Sequence, residues 1–239
     1  MTPSRSQVTK AGRLLRKMHQ GEGLVSSGQV KSALDILVAF RASHSTPLTK
    51  ANNGLRSMMA TEGIQGRPTQ RLKRIPTIVD KLLRQPTMAL PKMQDIAGCR
   101  VVCSDIAELR RLDARVRRNR PPSKVYDYID EPKQSGYRAV HLVVSYDARL
   151  IEIQLRTQLM HAWAVLQESV GTLLDIDLKS GHGPPEVLEY MKLLSRELEL
   201  IEDSEALHPE MPERVKAASQ SFVSYLRSRL LETCQLPGV

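Results

Sequence analysis

The stretch IEIQLRTQLMHAW, residues 151–163, changes from a two-residue to a helical repeat of apolar side chains. Ile151, Ile153 and Leu155 alternate with polar residues, which is the pattern of a strand with one buried face. Thr157 has a hydroxyl that can cap the N-terminus of a helix, and the apolar spacing after it is helical. The stretch therefore predicts a strand that runs directly into a helix.

The other face of this predicted strand carries Glu152, Gln154 and Arg156. A carboxylate, an amide and a guanidinium on one face can bind a metal ion and phosphate groups. The same pattern also fits an ion pair between Glu152 and Arg156 that is exposed to solvent. The strand alone leaves both interpretations open.

The overall charge of the chain indicates an anionic partner. The 239 residues carry a formal net charge of +9 with a sequence pI near 9.6, and 41% of them are apolar. Nucleotide phosphates, RNA and an acidic protein all fit this charge. Because only 4% of the residues are aromatic, a platform of aromatic rings for stacking successive bases is not expected.

The cysteines and the hydropathy predict a soluble cytoplasmic protein. Cys99, Cys103 and Cys234 have neither a paired framework nor the spacing of a zinc site, so we expect small core residues in a reducing compartment. The N-terminus is basic without an apolar signal segment, and no stretch is apolar enough to span a bilayer. We expect no membrane association.

A basic row with one hydroxyl lies in the Arg-, Lys- and Pro-rich segment that begins at Gly66. Arg71, Lys73, Thr77 and Lys81 are separated by two, four and four residues. If the segment is helical, the last three share one face, with Arg71 just before it. Such a row suits a polyphosphate, although a row of charges is also typical of a solvated surface.

A second acidic residue stands at the start of an apolar run. Asp95 opens DIAGCRVVC, which reads as a buried strand with Gly98 at a position suited to close backbone approach. Asp95 is therefore a candidate metal ligand, and a salt bridge with Arg100 is the competing interpretation.

The apolar strand predicted over residues 139–146 contains His141. Asp147 and Ala148 connect this strand tightly to the one that carries Glu152, so the two are predicted to form an antiparallel hairpin. That pairing places His141 and Glu152 on adjacent strands. A hydrogen-bonded histidine of the core is the alternative to a functional one.

Helices are predicted on both sides of these strands. Three precede Gly66, one covers residues 105–118, and two follow residue 185, the first of which packs through Leu188, Met191, Leu194, Leu198 and Ile201. The helix over 105–118 ends in a basic cluster of Arg115, Arg117, Arg118 and Arg120. Contact with RNA phosphates and a plain surface helix both explain this cluster.

Four motifs in order, RLKRIPTIVDK, DIAGCRVV, VYDYIDEPKQSGYRAVH and EIQLRTQLMHAW, resemble the synthetase domain of the RelA/SpoT homologue family, and in particular the stand-alone small alarmone synthetases. The resemblance implies an α/β (α+β) fold: a nucleotidyltransferase-like mixed β-sheet flanked by helices, with N- and C-terminal helical extensions. It also implies transfer of the β,γ-pyrophosphate of ATP to a ribose 3′-hydroxyl. The domains implied are a helical extension at 1–66, a pyrophosphokinase core at 67–175 and a second helical extension at 176–239.

The same resemblance assigns roles to the candidate residues. Asp95 and Glu152 match the acidic pair that holds Mg²⁺ and are the implied catalytic residues. The implied contacts to ATP, the pyrophosphate donor, are Arg71, Lys73, Thr77, Lys81 and Arg100. The implied contacts to the acceptor are Tyr126, Ser135, Tyr137, His141, Gln154 and Arg156, with Tyr137 stacking on the base.

Two departures from the family pattern bear on the acceptor. Tyr126 stands where alarmone-producing members commonly have a lysine, and Ser135 where they commonly have an asparagine. This pattern resembles the toxic members of toxin-antitoxin and phage-defence systems, several of which modify the 3′-terminal adenosine of tRNA. The cluster of Arg115, Arg117, Arg118 and Arg120 would then contact the acceptor stem.

The expected function is therefore a growth-inhibiting pyrophosphokinase that acts on tRNA. Because residues 1–66 lack the clustered His and Asp residues of a hydrolase, we expect no degradation of the product and a neutralising antitoxin protein as partner. One alternative is a (p)ppGpp or (p)ppApp alarmone synthetase that uses free GDP, GTP, ADP or ATP. A second is an inactive module of the same fold that binds RNA or a protein partner. The oligomeric state is left open.

Overall fold

The structure of the chain is a computed structural model that describes residues 2–20, 26–204 and 209–234, with the backbone alone at residues 230 and 232–234. The thiol of Cys234, expected in the core, lies outside the described side chains. Cys99 and Cys103 are buried thiols, as the sequence predicts.

Five strands form one sheet in the order β1-β2-β5-β4-β3. Their bounds are β1 Thr69–Leu72, β2 Ala97–Cys103, β3 Lys124–Asp127, β4 Val140–Tyr146 and β5 Arg149–Thr157. β1 runs antiparallel to β2, with Thr69 opposite Arg100. Asp147 and Ala148 join β4 to β5 with φ values of 47° and 59°, the left-handed backbone of a tight hairpin turn.

The helices lie before, between and after the strands. They are α1 Arg5–Gln20, α2 Ser27–Ala42, α3 Ser45–Thr61, α4 Ile75–Arg84, α5 Ile106–Asn119, α6 Gln158–Leu173, α7 Pro185–Glu202 and α8 Met211–Cys234, with short 3-10 segments at Leu90–Lys92 and Leu178–Ser180. The capping predicted at Thr157 is present, because its side chain accepts the N–H of Met160 at 3.2 Å. A five-stranded sheet flanked by helices confirms the predicted α+β fold.

The chain divides into two compact units. The first consists of Met1–Val101, Arg110–Tyr126 and His141–Leu155, and the second of Val102–Leu109, Asp127–Val140 and Arg156–Val239. In the first unit, α1, α2 and α4 pack around Leu15, Leu37 and Leu82. In the second, α6, α7 and α8 pack around Trp163, Met191 and Phe222. The predicted boundaries near residues 66 and 175 stay predictions.

Three local expectations differ from the structure. β1 is a short polar strand that the sequence did not predict. Since α4 begins at Ile75, Lys73 precedes the helix instead of sharing a helical face with Lys81. Ile201, expected to pack α7, is 51% exposed. Within the described ranges, no helix is long and apolar enough to cross a membrane.

Candidate active site

Two lysines hold the carboxylate of Asp95. The Nζ atoms of Lys73 and Lys81 lie 2.7 Å and 2.9 Å from Oδ2 of Asp95, and each of the three side chains is less than a quarter exposed. Two members of the basic row predicted from the sequence, Lys73 and Lys81, thus contact the acidic residue predicted to open the apolar run. The arrangement concentrates two cations and one carboxylate in a half-buried space.

The backbone explains why Lys73 is fixed beside Asp95. The N–H of Lys73 donates to the carbonyl of Ile96 at 2.8 Å, which continues the pairing of β1 with β2 by one residue. The carbonyl of Lys73 accepts the Nε–H of Arg41 from α2 at 2.7 Å. With both of its backbone polar groups bonded, Lys73 cannot shift without breaking contacts to two elements.

The environment of Asp95 favours its charged form. Burial alone would raise the pKa of Asp95, but the hydrogen bonds and charges of Lys73 and Lys81 outweigh burial and hold the pKa below its usual range. Its second oxygen, Oδ1, is buried and has no hydrogen-bond partner among the described atoms. A buried carboxylate oxygen without a partner is suited to a cation.

Glu152 on β5 is bonded to two polar neighbours. Nδ1 of His141 lies 3.1 Å from Oε1 of Glu152, and Nε2 of Gln154 donates to Oε2 at 2.6 Å. Burial would raise the pKa of Glu152, but the contacts with His141 and Gln154 lower it below its usual range, although the charge of Asp95 opposes them. The hairpin prediction that His141 adjoins Glu152 is therefore confirmed.

Close packing of β2 against β5 requires Gly98. A Cβ atom at this position would lie 3.0 Å from the carbonyl oxygen of Glu152. The absence of a side chain lets the strand after Asp95 approach the strand of Glu152, as the sequence suggested.

The other predicted ATP contacts lie on neighbouring elements of the first unit. Arg71 lies on β1 and Thr77 on α4, and both are exposed. Arg100 is half-buried on β2. Thr77 shares α4 with Lys81, and the two ion pairs of Asp95 described above are made by Lys73 and Lys81.

Within the second unit, Tyr137 is bonded to Arg156. Nη2 of Arg156 donates to the Tyr137 hydroxyl at 2.8 Å, and the guanidinium lies 5.1 Å from the centre of the ring. The ammonium of Lys133 lies 5.2 Å from the same ring centre. Arg156, expected on an exposed strand face, is buried, and so is Ser135, two residues before Tyr137.

Residues of α7 fix the loop that carries Tyr137. The Ser195 hydroxyl donates to the carbonyl of Gly136 at 2.5 Å, and Nη1 of Arg138 lies 2.8 Å from a carboxylate oxygen of Glu202. Glu202 also accepts the Thr157 hydroxyl. The sequence analysis did not identify Ser195 and Glu202 as residues that hold this loop. The one feature of the sequence that could have indicated such a role is the polar Ser195 among the apolar positions of α7.

The remaining candidates of the first unit have partners within that unit. The Tyr126 hydroxyl donates to Oε1 of Gln94 at 3.3 Å. In the arginine cluster, Arg115 lies 3.6 Å from Glu62, Arg117 lies 2.8 Å from Asp113, and the guanidinium of Arg120 lies 4.6 Å from the ring centre of Tyr146. Arg118 is exposed on α5.

The donor set fits a hard divalent cation. Asp95 and Glu152 would supply the oxygen ligands, and Oδ1 of Asp95 has no hydrogen-bond partner among the described atoms. Nowhere in residues 2–20, 26–204 and 209–234 do three or more His, Cys, Asp or Glu side chains form a group able to hold a metal ion. Mg²⁺ is commonly held by one or two carboxylates together with substrate phosphates, so two carboxylates suffice for such a site.

A profile of the region found in RelA/SpoT proteins matches residues 70–170, which contain Lys73, Asp95, His141 and Glu152. Residues 70–170 are therefore similar to this region of RelA/SpoT proteins. Two similar relatives are the GTP pyrophosphokinases YjbM and YwaC of Bacillus subtilis, 35% identical over 114 residues and 32% identical over 123 residues. These alignments cover 43% and 45% of this chain but 54% and 59% of the relatives, so the match spans little more than half of their length.

Solved structures of small alarmone synthetases share the fold. Small alarmone synthetase 1 from Bacillus subtilis aligns with a TM-score of 0.60 at 24% identity, covering 71% of this chain and 94% of that one. The structure of the same enzyme bound to its product pppGpp aligns with a TM-score of 0.58 at 26% identity, covering 69% and 90%. The chain therefore shares the fold of these small alarmone synthetases, as the motifs predicted.

Proposed function

We propose that this chain transfers the β,γ-pyrophosphate of ATP to a ribose 3′-hydroxyl. The observation that carries the proposal is the carboxylate of Asp95, which two lysines contact through one oxygen while its other oxygen is buried without a partner. The relatives named GTP pyrophosphokinase support the same reaction.

The cations of the first unit serve the phosphates of ATP. Lys73 and Lys81 are positioned to exchange part of their contact with Asp95 for phosphate oxygens, and Arg71 adds a third cation from β1. Fixed positive charge near the transferred group stabilises the charge that develops in phosphoryl transfer. Asp95 and Glu152 would hold Mg²⁺, which when bound neutralises phosphate charge.

Glu152, His141 and Gln154 serve the acceptor hydroxyl. Because the pKa of Glu152 is lowered, this residue is a carboxylate at neutral pH and its oxygens accept from His141 and Gln154. Tyr137 of the second unit is the proposed stacking surface for the acceptor base, and its contact with Arg156 restricts the orientation of the ring.

A free guanine nucleotide is the first proposed acceptor. YjbM and YwaC are named GTP pyrophosphokinases, and small alarmone synthetase 1 was solved with pppGpp. Three arginines proposed to contact tRNA, Arg115, Arg117 and Arg120, already have partners in their own unit, which weakens the case for a nucleic-acid acceptor.

The 3′-terminal adenosine of tRNA is the second candidate, and with it a growth-inhibiting toxin that requires a neutralising partner. The net charge of +9 and the exposed Arg118 favour it, as does Tyr126 in place of a lysine. Adenine nucleotides as free acceptors are distinguished in the same assay.

The test is incubation of the protein with γ-labelled ATP, Mg²⁺ and, in separate reactions, GDP, GTP, ADP or deacylated tRNA. Label on a free nucleotide identifies an alarmone synthetase. Label on tRNA that disappears when the terminal adenosine is removed identifies the tRNA-modifying function. The nucleotide and tRNA reactions are compared at equal salt, because binding of tRNA to a basic protein depends strongly on ionic strength.

Glu152→Gln separates catalysis from binding. The amide preserves the size of the side chain but removes its charge, so we expect a loss of transfer of at least a hundredfold with ATP binding retained. Glu186→Gln, an exposed change on α7, is the matched control. Absence of transfer to every acceptor by the wild type, with RNA binding intact, would instead support an inactive binding module.

A further inference from the structure

The last turn of α7 carries a buried carboxylate at an unfavourable position. Glu202 is the last residue of this helix, and its side chain is 6% exposed. The last turn of α7 contains no basic residue. Since the C-terminus of a helix carries partial negative charge, a carboxylate there destabilises the helix, and burial adds to this cost. The stability of the helix therefore does not account for Glu202.

Glu202 binds two buried residues that are distant from each other in the sequence. Nη1 of Arg138 donates to Oε2 of Glu202 at 2.8 Å, and the Thr157 hydroxyl donates to Oε1. Arg138 and Thr157 are both buried, and both belong to the second unit, as does Glu202. Each oxygen of the carboxylate thus accepts from a different segment of the chain.

The two donors are the sequence neighbours of two proposed acceptor contacts. Arg138 directly follows Tyr137, and Thr157 directly follows Arg156. Arg156 itself donates to the Tyr137 hydroxyl at 2.8 Å. The same two segments are therefore joined twice, once by the hydrogen bond of Arg156 with Tyr137 and once through the carboxylate of Glu202.

The second connection restricts what the first leaves free. A guanidinium and a phenol joined by one hydrogen bond can turn about that bond, whereas a carboxylate that accepts from the next residue of each segment also restricts both backbones. Compared with apolar packing, a buried ion pair adds little net stability, but it can specify one arrangement of the chain. The contacts of Glu202 with Arg138 and Thr157 therefore suit orientation more than stability.

We propose that Glu202 is a positioning residue for the acceptor, and that it acts through Arg138 and Thr157. Its carboxylate fixes the backbone next to Tyr137 and next to Arg156, so that the Tyr137 ring keeps the orientation in which it stacks on the acceptor base. Order of this kind before binding reduces the entropy lost when the acceptor binds. The role rests on the proposed function, because it requires that Tyr137 contacts the acceptor.

Glu202→Gln tests the role by steady-state kinetics with whichever of GDP, GTP, ADP and tRNA takes up label from ATP. The amide keeps the size of the side chain, but Arg138 loses its charged partner. We expect the KM for the acceptor to rise about tenfold, as for the loss of one charge-assisted hydrogen bond, with the KM for ATP and kcat within about twofold. Glu189→Gln, an exposed change on the same helix, is the matched control and should behave as the wild type.

A double variant separates orientation from stability. Adding Arg138→Met to Glu202→Gln removes the buried cation that has lost its partner, so we expect the midpoint of urea unfolding to return towards that of the wild type. The connection through Glu202 stays broken, so the KM for the acceptor should stay raised about tenfold. The proposal is overturned if this KM recovers together with the midpoint, or if Glu202→Gln lowers stability alone or raises both KM values equally.

A measurement without substrate separates failure of this role from failure of the proposed function. Amide hydrogen exchange is followed at Lys133 and Gly136, whose N–H groups donate to the carbonyls of Tyr137 and Lys133 at 3.2 Å and 2.8 Å. We expect both amides to exchange about fivefold faster in Glu202→Gln than in the wild type, with the amides of α1 unchanged. Unchanged exchange in the loop would overturn the positioning role. Faster exchange, in a protein whose wild type transfers label to no acceptor, would uphold the fixing of the loop by Glu202 and contradict only the proposed function.

Discussion

The Ser195 hydroxyl donates a 2.5 Å hydrogen bond to the carbonyl of Gly136, so a residue of α7 fixes the position directly before Tyr137. Gly136 has φ of 88°, and a Cβ atom there would lie 2.9 Å from Cβ of Ser195. The two residues therefore meet with no room for a side chain at Gly136. Ser195 lies outside the region of 70–170 that matches the RelA/SpoT profile, which makes α7 a supporting element for the proposed acceptor loop.

Replacing Ser195 with Ala is expected to weaken acceptor binding selectively. The change removes one buried hydrogen bond, which costs about 1 kcal/mol of stability, and frees the backbone next to Tyr137. On the proposed function, the KM for the acceptor rises about fivefold while the KM for ATP stays within twofold. Steady-state kinetics with each substrate varied in turn measure both values.

Ser228→Ala is the control for this variant, since Ser228 makes a similar hydroxyl-to-carbonyl bond within α8 at an exposed position. We expect its kinetics to match the wild type. Equal increases in the KM of acceptor and ATP for Ser195→Ala would show that α7 affects general stability and not the acceptor loop.

Replacing Gly136 with Ala is expected to destabilise the protein more than the same change at Gly181. Both glycines have positive φ, 88° and 77°, so both variants pay about 1 kcal/mol for the left-handed backbone. Only at Gly136 does the new Cβ meet other atoms, at 2.9 Å from Ser195 and 3.3 Å from Trp163; at Gly181 nothing lies within 4 Å. Urea unfolding should give a loss of about 3 kcal/mol for Gly136→Ala and about 1 kcal/mol for Gly181→Ala.

Equal losses for these two glycine variants would mean that α7 moves away from the loop without cost. The contact between Ser195 and Gly136 would then not restrict the loop, and the selective effect expected for Ser195→Ala would lose its structural basis.

Removing the charge of Asp95 is expected to destabilise the protein in addition to abolishing the proposed activity. Asp95→Asn leaves Lys73 and Lys81 close together without their shared carboxylate, which costs about 2 kcal/mol for a pair this buried. The control is Asp80→Asn on the same helix as Lys81, because Asp80 pairs with Arg84 at a largely exposed position. We expect it to cost less than about 0.5 kcal/mol.

The stabilising effect of Asp95 also has a defined pH range. Because its pKa in the folded protein is lowered, the carboxylate stabilises the fold above the ordinary pKa of an aspartate, and the effect is lost as the pH falls through the folded value. The stability difference between wild type and Asp95→Asn should therefore be constant near neutral pH and shrink in acid below about pH 4. A difference that grows in acid would contradict the lowered pKa.

Local sequence patterns were sufficient to predict the elements that carry the candidate site. Alternation of apolar residues marked β5, and the turn at Asp147 and Ala148 correctly placed His141 next to Glu152. The intervals between Lys73 and Lys81 marked a basic row, which the structure brings to Asp95. These features depend on neighbours in sequence or on adjacent strands.

Long-range contacts determine what the patterns did not predict. β1 is too short and polar for an alternation signal, and it is a strand because it pairs with β2. Arg156 follows the polar repeat of β5 but is buried, and it donates to Tyr137, which lies 19 residues away in the sequence. Ser195 contacts Gly136 from 59 residues away, so neither residue carries a local signal of the other.

His44 is expected to make the stability of the fold sensitive to mild acid. Burial lowers its pKa below the ordinary value of 6.5, the bond to the Phe40 carbonyl opposes this effect, and the charge of Arg149 adds to it. The folded state therefore keeps His44 neutral where the unfolded chain binds a proton. Stability from this residue is fully present above about pH 6.5 and declines as the pH falls toward the folded pKa, by at most about 1.4 kcal/mol per pH unit.

The measurement is urea unfolding of the wild type and of His44→Gln at pH values from 8 to 5. Gln does not titrate, so we expect the variant to lose less stability than the wild type between pH 6.5 and 5. His182→Gln, an exposed change, should follow the wild type throughout. Parallel curves for His44→Gln and the wild type would show that His44 takes up its proton as readily in the folded protein as in the unfolded chain, in spite of its burial next to Arg149.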